Sequence, residues 1–279
     1  MELQETLRAA ARAGQPTVEC SVDLQRSTTT VTVTEAGWQC DGRHFPWMNE
    51  CKDRTIYYWD GVAFQPASRF RTSLVKLVPT EWGPPTFEID GIKMLPTASV
   101  SPWEDAARKV GLIRPRGKVV LDTCGGLGYF AAWCLEGAAK QVQSFEKNPD
   151  VLWLRRLNPW SPESSAVSTA ALSVTLADIS QAIFQLPGES VDAILHDPPR
   201  FGIAGELYSA AFYEELFRVV RPRGLLFHYT GTPNRLTTGR DVPREVAKRL
   251  GKSGFDTERV GDGVLAVKSP TASRSRPLL

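Results

Sequence analysis

Four carboxylates and a cluster of glycines are the residues of this chain whose types and spacing carry chemistry. In KVVLDTCGGLGYFAAWCLEGA (118–138) an apolar run ends at Asp122, and Gly125, Gly126 and Gly128 follow before a helix-like pattern. Glycines after a strand allow a tight turn and let a ligand approach the backbone without interference from a Cβ. Glu146 closes the next apolar run, about 20 residues on, where a carboxylate can hold both hydroxyls of a ribose. Asp178 closes a third run, within reach of an adenine edge. A dinucleotide turn would read Gly-x-Gly-x-x-Gly. Here the order is Asp-x-x-Gly-Gly-x-Gly, and an acid before the turn repels a pyrophosphate while suiting a cationic ligand end. The fourth carboxylate, Asp197, lies in LHDPPRFG (195–202) after a fourth apolar run. His196, His228 and Tyr229 fall at the ends of the fourth and fifth runs. A histidine near neutral pKa can act as a base, and structural packing is its other reading. Glu206 and Tyr208 follow in a loop, placed either to bind an acceptor amine or, as Ser209 could, to cap the next helix.

Such residues need strand ends to hold them. From 118 onward apolar strands alternate with helical patterns: VVLD then FAAWCLEGA, VQSFE then DVLWLRRL, SVTLAD then ISQAIFQL, VDAILHD then LYSAAFYEELFRVV, LLFHYTG then DVPREVAKRLGKSG. That repetition implies an α/β domain with a parallel sheet covered by helices on both faces. DTERVG and GVLAVKS close it as an antiparallel hairpin. WEDAARKVGLI reads as a helix ended by RPRG. Upstream, residues 17–37 alternate as two strands, and RTIYYWDGVAFQPA reads as a hairpin turning at Asp-Gly. PPTFEIDGIKMLPTASVSP (84–102) reads as a connector with one short strand. The expected organisation is a β-rich N-terminal domain over 1–95, a catalytic domain over 96–268 and a mobile tail over 269–279. Five of the eight tryptophans precede residue 104. They fill a small β core or roof a site.

With these residues in place, the chain resembles the class I S-adenosylmethionine-dependent methyltransferases, over roughly residues 105–268. More narrowly it is similar to a set of predicted methyltransferases, mostly archaeal, with a β-rich N-terminal region. LDTCGGLGY, EKNPDVLWLRRLNPWS, HDPPRFGIAGELYS and FHYTGTP carry the match. The resemblance implies a seven-stranded Rossmann-like sheet and S-adenosylmethionine as cofactor, held by Asp122, Gly125, Gly126, Gly128, Glu146 and Asp178. It also implies that the helix at PWEDAARK covers the cofactor, which makes Trp103 and Lys109 candidates, with core packing as the alternative.

HDPPRFG resembles the Asp/Asn-Pro-Pro-aromatic motif of amino-group methyltransferases, in which a side-chain oxygen and a proline carbonyl orient the target nitrogen. The resemblance gives Asp197 and Pro198 those parts. Arg200 replaces the aromatic ring that would stack on a flipped base, and suits a carboxylate or phosphate on the acceptor. AGELYSAAFYEELFRVVRPRGLLFHY (204–229) resembles the spermidine synthases, which transfer an aminopropyl group from decarboxylated S-adenosylmethionine. There Asp197 would help deprotonate an amine. A 3-amino-3-carboxypropyl transferase or a cyclase would share methylthioadenosine as by-product. The uridine C5 methyltransferases need a nucleophilic cysteine on the strand that here reads LLFHYTG. Cys124 sits in the cofactor turn instead, so that covalent route is not expected.

Composition narrows the partners. The chain has 279 residues, 42% hydrophobic, and a net charge of +2, enough core for one large domain or two smaller ones. Residues 1–95 hold 10 basic against 12 acidic side chains, so no basic stripe announces RNA or DNA. A small-molecule or peptide acceptor is expected ahead of RNA. No run approaches a membrane span, and the first residues read as an amphipathic helix without an apolar signal region. Five scattered cysteines with no CxxC pair suit reduced thiols in a cytoplasm. Cys40, His44 and Cys51 lack an evident fourth zinc ligand, so no metal is expected.

Overall fold

The computed structural model describes residues 2–164, 170–231 and 241–270. The chain divides into two compact units, one of Met1–Trp103 with Trp153–Trp160, the other of Glu104–Leu152 with Ser161–Leu279.

In the first unit, α1 (Glu2–Arg12) is followed by β1 (Thr17–Cys20), β2 (Thr29–Val33), β3 (Gly37–Cys40) and β4 (Arg43–Pro46), an antiparallel sheet in chain order. Alternation in β2 buries Val31 and Val33 while Thr30 and Thr32 face outward. Those valines pack with Leu7 and Ala10 of α1 and with Trp38 and Cys40 of β3. Trp38 stacks on Phe45, and Phe64 joins the same aromatic group. β5 (Tyr57–Trp59) and β6 (Phe64–Pro66) form the expected hairpin. The Asp60 carboxylate accepts from the backbone N–H groups of Val62 and Ala63, both at 2.8 Å, and locks the turn.

A second antiparallel sheet runs β10-β9-β8-β7, with β7 at Ser68–Phe70 and β8 at Leu74–Val78. Here the connector reading is corrected. Residues 84–102 hold two strands, β9 (Thr86–Ile89) and β10 (Ile92–Lys93), paired about Asp90-Gly91. Both turn residues have positive φ, 49° and 79°, the geometry for which Asp-Gly is suited. The exposed two-residue β10 and the flanking prolines hid that hairpin from periodicity.

The second unit is built on a seven-stranded sheet. Its strands are β11 (Val119–Asp122), β12 (Gln141–Glu146), β13 (Leu172–Leu176), β14 (Val191–His196), β15 (Val220–Tyr229), β16 (Phe255–Val260) and β17 (Gly263–Lys268). Their order is β13-β12-β11-β14-β15-β17-β16, and β17 runs antiparallel to both of its neighbours, β15 and β16. The helices are α2 (Pro102–Ile113), α3 (Tyr129–Glu136), α4 (Pro149–Leu157), the short α5 (Ile179–Ala182), α6 (Ala210–Val219) and α7 (Val242–Ser253). Alternate strand residues feed two cores, as the two-residue period requires. Val120, Ala193, Leu195 and Phe227 pack with Val110 and Ile113 of α2 and with Ala131 and Cys134 of α3. Leu121, Ile194 and Leu226 pack with Ile179, Tyr213, Leu216, Val246 and Leu250 from α5, α6 and α7. Each fully buried Val, Leu, Ile or Phe side chain among them stabilises by roughly 1.5–3 kcal/mol. Among the described residues no helix is long and apolar enough to cross a membrane, and no group of three His, Cys, Asp or Glu could hold a metal.

Candidate active site

β12 pairs with one side of β11 and β14 with the other, so the strand order reverses at β11 and opens a crevice beyond the strand ends. The glycine turn sits there. Gly126 and Gly128 have φ of 47° and 82°, conformations that a Cβ would strain, and Gly128 caps α3. Gly125 N–H donates to the Phe145 carbonyl at 2.7 Å, and Gly126 N–H to Glu146 Oε2 at 3.0 Å, so the turn is laced to the end of β12. Glu146 Oε1 accepts from Asn148 N–H at 2.8 Å.

Asp122 ends β11 and is 1% exposed, accepting a hydrogen bond from Ser144 Oγ at 2.8 Å. Asp178 lies two residues beyond β13, where it caps α5 by accepting from Ser180 N–H at 2.9 Å. Lys147, unremarked in the sequence, places its Nζ 3.9 Å from Asp178 and 3.6 Å from Glu206. Burial first, then Glu146 nearby, keeps the Cys124 thiol far above its usual value, so it is no nucleophile in this state.

The register pairs His196 with His228, and their ring centroids lie 4.3 Å apart. Both are 0% exposed. His196 Nε2–H donates to the Leu207 carbonyl at 3.1 Å, and Nδ1 accepts from Thr123 Oγ1 at 2.7 Å. His228 Nδ1–H donates to the Tyr229 carbonyl, and Nε2 accepts from Tyr213 Oη, both at 2.8 Å. Each ring is thus a neutral tautomer with both nitrogens engaged. Burial lowers His196 to about 4, and burial, then the neighbouring His196, holds His228 well below its usual value. Both histidines protonate readily only when unfolded. The stability they contribute is therefore complete above pH 6.5 and is lost as pH falls towards 4. Denaturant titrations at pH 7 and pH 5 should show that loss, and His196→Gln should reduce it. An equal loss in both proteins would remove His196 from the effect.

Asp197 follows β14. Its Oδ2 accepts from Lys109 Nζ at 2.9 Å, and the side chain is 19% exposed. Among the described residues Lys109 is its hydrogen-bond partner. Burial pushes the Asp197 carboxyl above the usual carboxylate value, and the Lys109 ammonium opposes that rise. Lys109 in turn is 1% exposed, 2.8 Å from Asp105 Oδ2 and 3.7 Å from the centre of the Tyr229 ring. Arg108 joins Asp105 at 2.9 Å to Asp262 at 2.7 Å. Pro198 is buried, and the Pro199 carbonyl accepts from Tyr208 Oη at 3.1 Å. Burial pushes the Tyr208 and Tyr229 phenols up, so both are donors at neutral pH. Arg200 is exposed at the rim of this loop, beside Phe201, whose ring meets Tyr208 edge-on.

The strand ends thus collect the glycine turn, Glu146, His196, Asp197, His228 and Tyr229. Trp103 belongs to the first unit, where its ring packs on Trp160 with centroids 5.3 Å apart. Asp105, Arg108 and Asp262 escaped sequence reasoning. Asp105 and Lys109 are an i,i+4 pair, the one local signal of the cluster, but it reads equally as a surface ion pair.

The sheet order and the antiparallel β17 define the Rossmann-like fold of the class I S-adenosylmethionine-dependent methyltransferases, which spermidine synthases share. A structure of spermidine synthase in complex with the transition state analogue AdoDATO aligns with a TM-score of 0.57 at 15% identity, covering 77% of this chain and 80% of that one. Spermidine synthase from Thermotoga maritima aligns with a TM-score of 0.53 at 15% identity, over 77% and 78%. At that identity the likeness is one of fold. In sequence, the chain belongs to the family of the uncharacterized protein MJ1233 of Methanocaldococcus jannaschii, with 43% identity over 223 residues, 78% of this chain and 75% of that protein. No family model matches the chain.

Proposed function

We propose that the protein is an S-adenosylmethionine-dependent transferase that methylates an amine or similar nucleophile on a small-molecule or peptide acceptor. The observation that carries the reading is Asp197, one oxygen anchored on Lys109 and the side chain partly exposed, just past the end of the strand that pairs with the one leading into the glycine turn. The residues of the turn fit the cofactor by their chemistry. Gly126 and Gly128 give backbone access, the Glu146 carboxylate at the end of β12 would hold the ribose hydroxyls, and Asp178 beyond β13 would serve the adenine edge. Asp122 contributes negative charge next to a cationic ligand end. S-adenosylmethionine supplies an electrophilic methyl group on a sulfonium.

The chain's own work is positioning. Asp197 Oδ1 and the Pro198 carbonyl accept hydrogen bonds from the acceptor nitrogen and aim its lone pair, and Asp197 or water takes the proton released as the nitrogen–carbon bond forms and the sulfur–carbon bond breaks. With both histidines neutral and fully bonded, proton handling falls to Asp197. The linked groups Asp105, Asp197 and Asp262 face Arg108 and Lys109, three carboxylates to two cations. That surplus negative charge favours a cationic sulfonium and an amine over a phosphate-rich acceptor, so RNA ranks second as a partner.

A second reading is an aminopropyl-type transfer or a cyclisation. It draws support from the fold likeness to spermidine synthase over 77% of the chain. Mass spectrometry of the adenosine by-product separates the two. Protein incubated with S-adenosylmethionine and with metabolite or RNA extracts should release S-adenosylhomocysteine, and a parallel incubation with decarboxylated S-adenosylmethionine tests for aminopropyl transfer. Methylthioadenosine would replace the methyl reading with the second one.

A further inference from the structure

Lys109 lies within a helix that precedes the sheet, yet it is among the largest fully buried side chains of the protein. A buried ammonium is costly unless its charge is matched and its donors are used. Here it is matched twice, by Asp105 Oδ2 at 2.8 Å and Asp197 Oδ2 at 2.9 Å, and it stands over the Tyr229 ring at 3.7 Å and the Phe130 ring at 5.7 Å. Asp105 is itself fixed by Arg108, which reaches both oxygens of Asp262 at 2.7 and 2.8 Å. The relay Asp262–Arg108–Asp105–Lys109–Asp197 therefore ends on a single carboxylate oxygen.

We infer that Lys109, clamped by Asp105, is a positioning residue that orients Asp197 and supplies the counter-charge keeping it a hydrogen-bond acceptor. The inference rests on the proposed transferase reading only for what Asp197 does next. The other groups that bear on Asp197 point the same way. Asp105 and Asp262 both oppose its ionisation, and the Tyr208 and Tyr229 phenols and the Cys124 thiol stay protonated around it. Lys109 is the cation that counters them. Without it, a carboxyl in this setting takes up a proton and turns from acceptor to donor. A protonated Asp197 would neither aim an amine lone pair nor receive its proton. A lysine that only filled the core would be indifferent to the charge on Asp197.

The test reads Asp197 directly. Full-length protein labelled at the aspartate carboxyl carbons is titrated by NMR, with Asp197→Asn assigning the signal. Lys109→Met should move the Asp197 midpoint clearly upward, and Lys109→Arg should restore most of the wild-type value. Lys109→Gln, which keeps a donor beside Asp197 without the charge, should move the midpoint upward as well and decides the matter if Lys109→Met does not fold. Midpoints that do not move in these variants overturn the inference. Calorimetry with S-adenosylmethionine on the same samples reads the transferase proposal separately. Absent binding in the wild type would sink that proposal and leave the carboxyl titration standing.

Discussion

Asp197→Ala is expected to abolish turnover while leaving cofactor affinity close to that of the wild type. The carboxylate sits beyond β14 with Oδ2 on Lys109 and touches neither the glycine turn nor Glu146. Its removal costs acceptor orientation and proton acceptance, each worth about 10²–10⁴ in rate when supplied by a positioned group. The loss should therefore fall on kcat, not on binding of S-adenosylmethionine. Lys109 keeps Asp105 as a partner, so the stability cost is about 1–3 kcal/mol and the variant should fold. Asp197→Asn then separates the two roles. The amide retains an oxygen that can orient a nitrogen but cannot take a proton, so a methyl transfer driven by orientation should keep part of its rate. A reaction that needs a base should lose nearly all of it. Full activity in Asp197→Ala would remove the residue from the mechanism.

The architecture was legible because its strands are short apolar runs ending in acids. VVLD is buried along its length, and VQSFE and VDAILHD are largely buried with Gln143 and Asp192 only half-covered, the apolar bias that a strand sandwiched between helix layers carries. Chain order alone then puts Asp122, Glu146 and Asp197 at successive strand ends. What chain order cannot show is which of them meet other side chains. Lys109 bonds Asp197 across 88 residues, and Arg108 bonds Asp262 across 154. Nothing local to PWEDAARK announces either contact, because the pairing is created by strand order. The histidines teach the same lesson. Their adjacency follows from β14 lying beside β15, but their neutrality follows from Thr123 Oγ1, the Leu207 carbonyl and Tyr213 Oη, which only the folded chain assembles. The β9–β10 hairpin was hidden for the opposite reason. Its signal is wholly local, Asp-Gly at positive φ, but one strand is too short to show a period.

Glu146→Ala should weaken S-adenosylmethionine binding by about 10²–10⁴. The estimate comes from two hydrogen bonds between a charged acceptor and ribose hydroxyls, about 1.5–3 kcal/mol each, at about 1.4 kcal/mol per tenfold. A second effect adds to it. Glu146 is also the internal tie that holds Gly126 N–H at 3.0 Å and Asn148 N–H at 2.8 Å, so its loss loosens the turn that must approach the cofactor. Glu146→Gln tests the split, because the amide keeps one acceptor oxygen for either a backbone N–H or a hydroxyl but not for both. Its affinity should fall between wild type and Glu146→Ala. Isothermal calorimetry measures the binding, and thermal unfolding without ligand checks that the sheet is intact. Asp197→Ala serves as the control that shares the crevice but not the ribose. If Glu146→Ala binds S-adenosylmethionine like the wild type, the ribose lies elsewhere and the assignment of the glycine turn falls with it. If Glu146→Ala loses binding while Asp197→Ala keeps it, cofactor and acceptor are held by different strand ends, which is what a group transfer across this crevice requires.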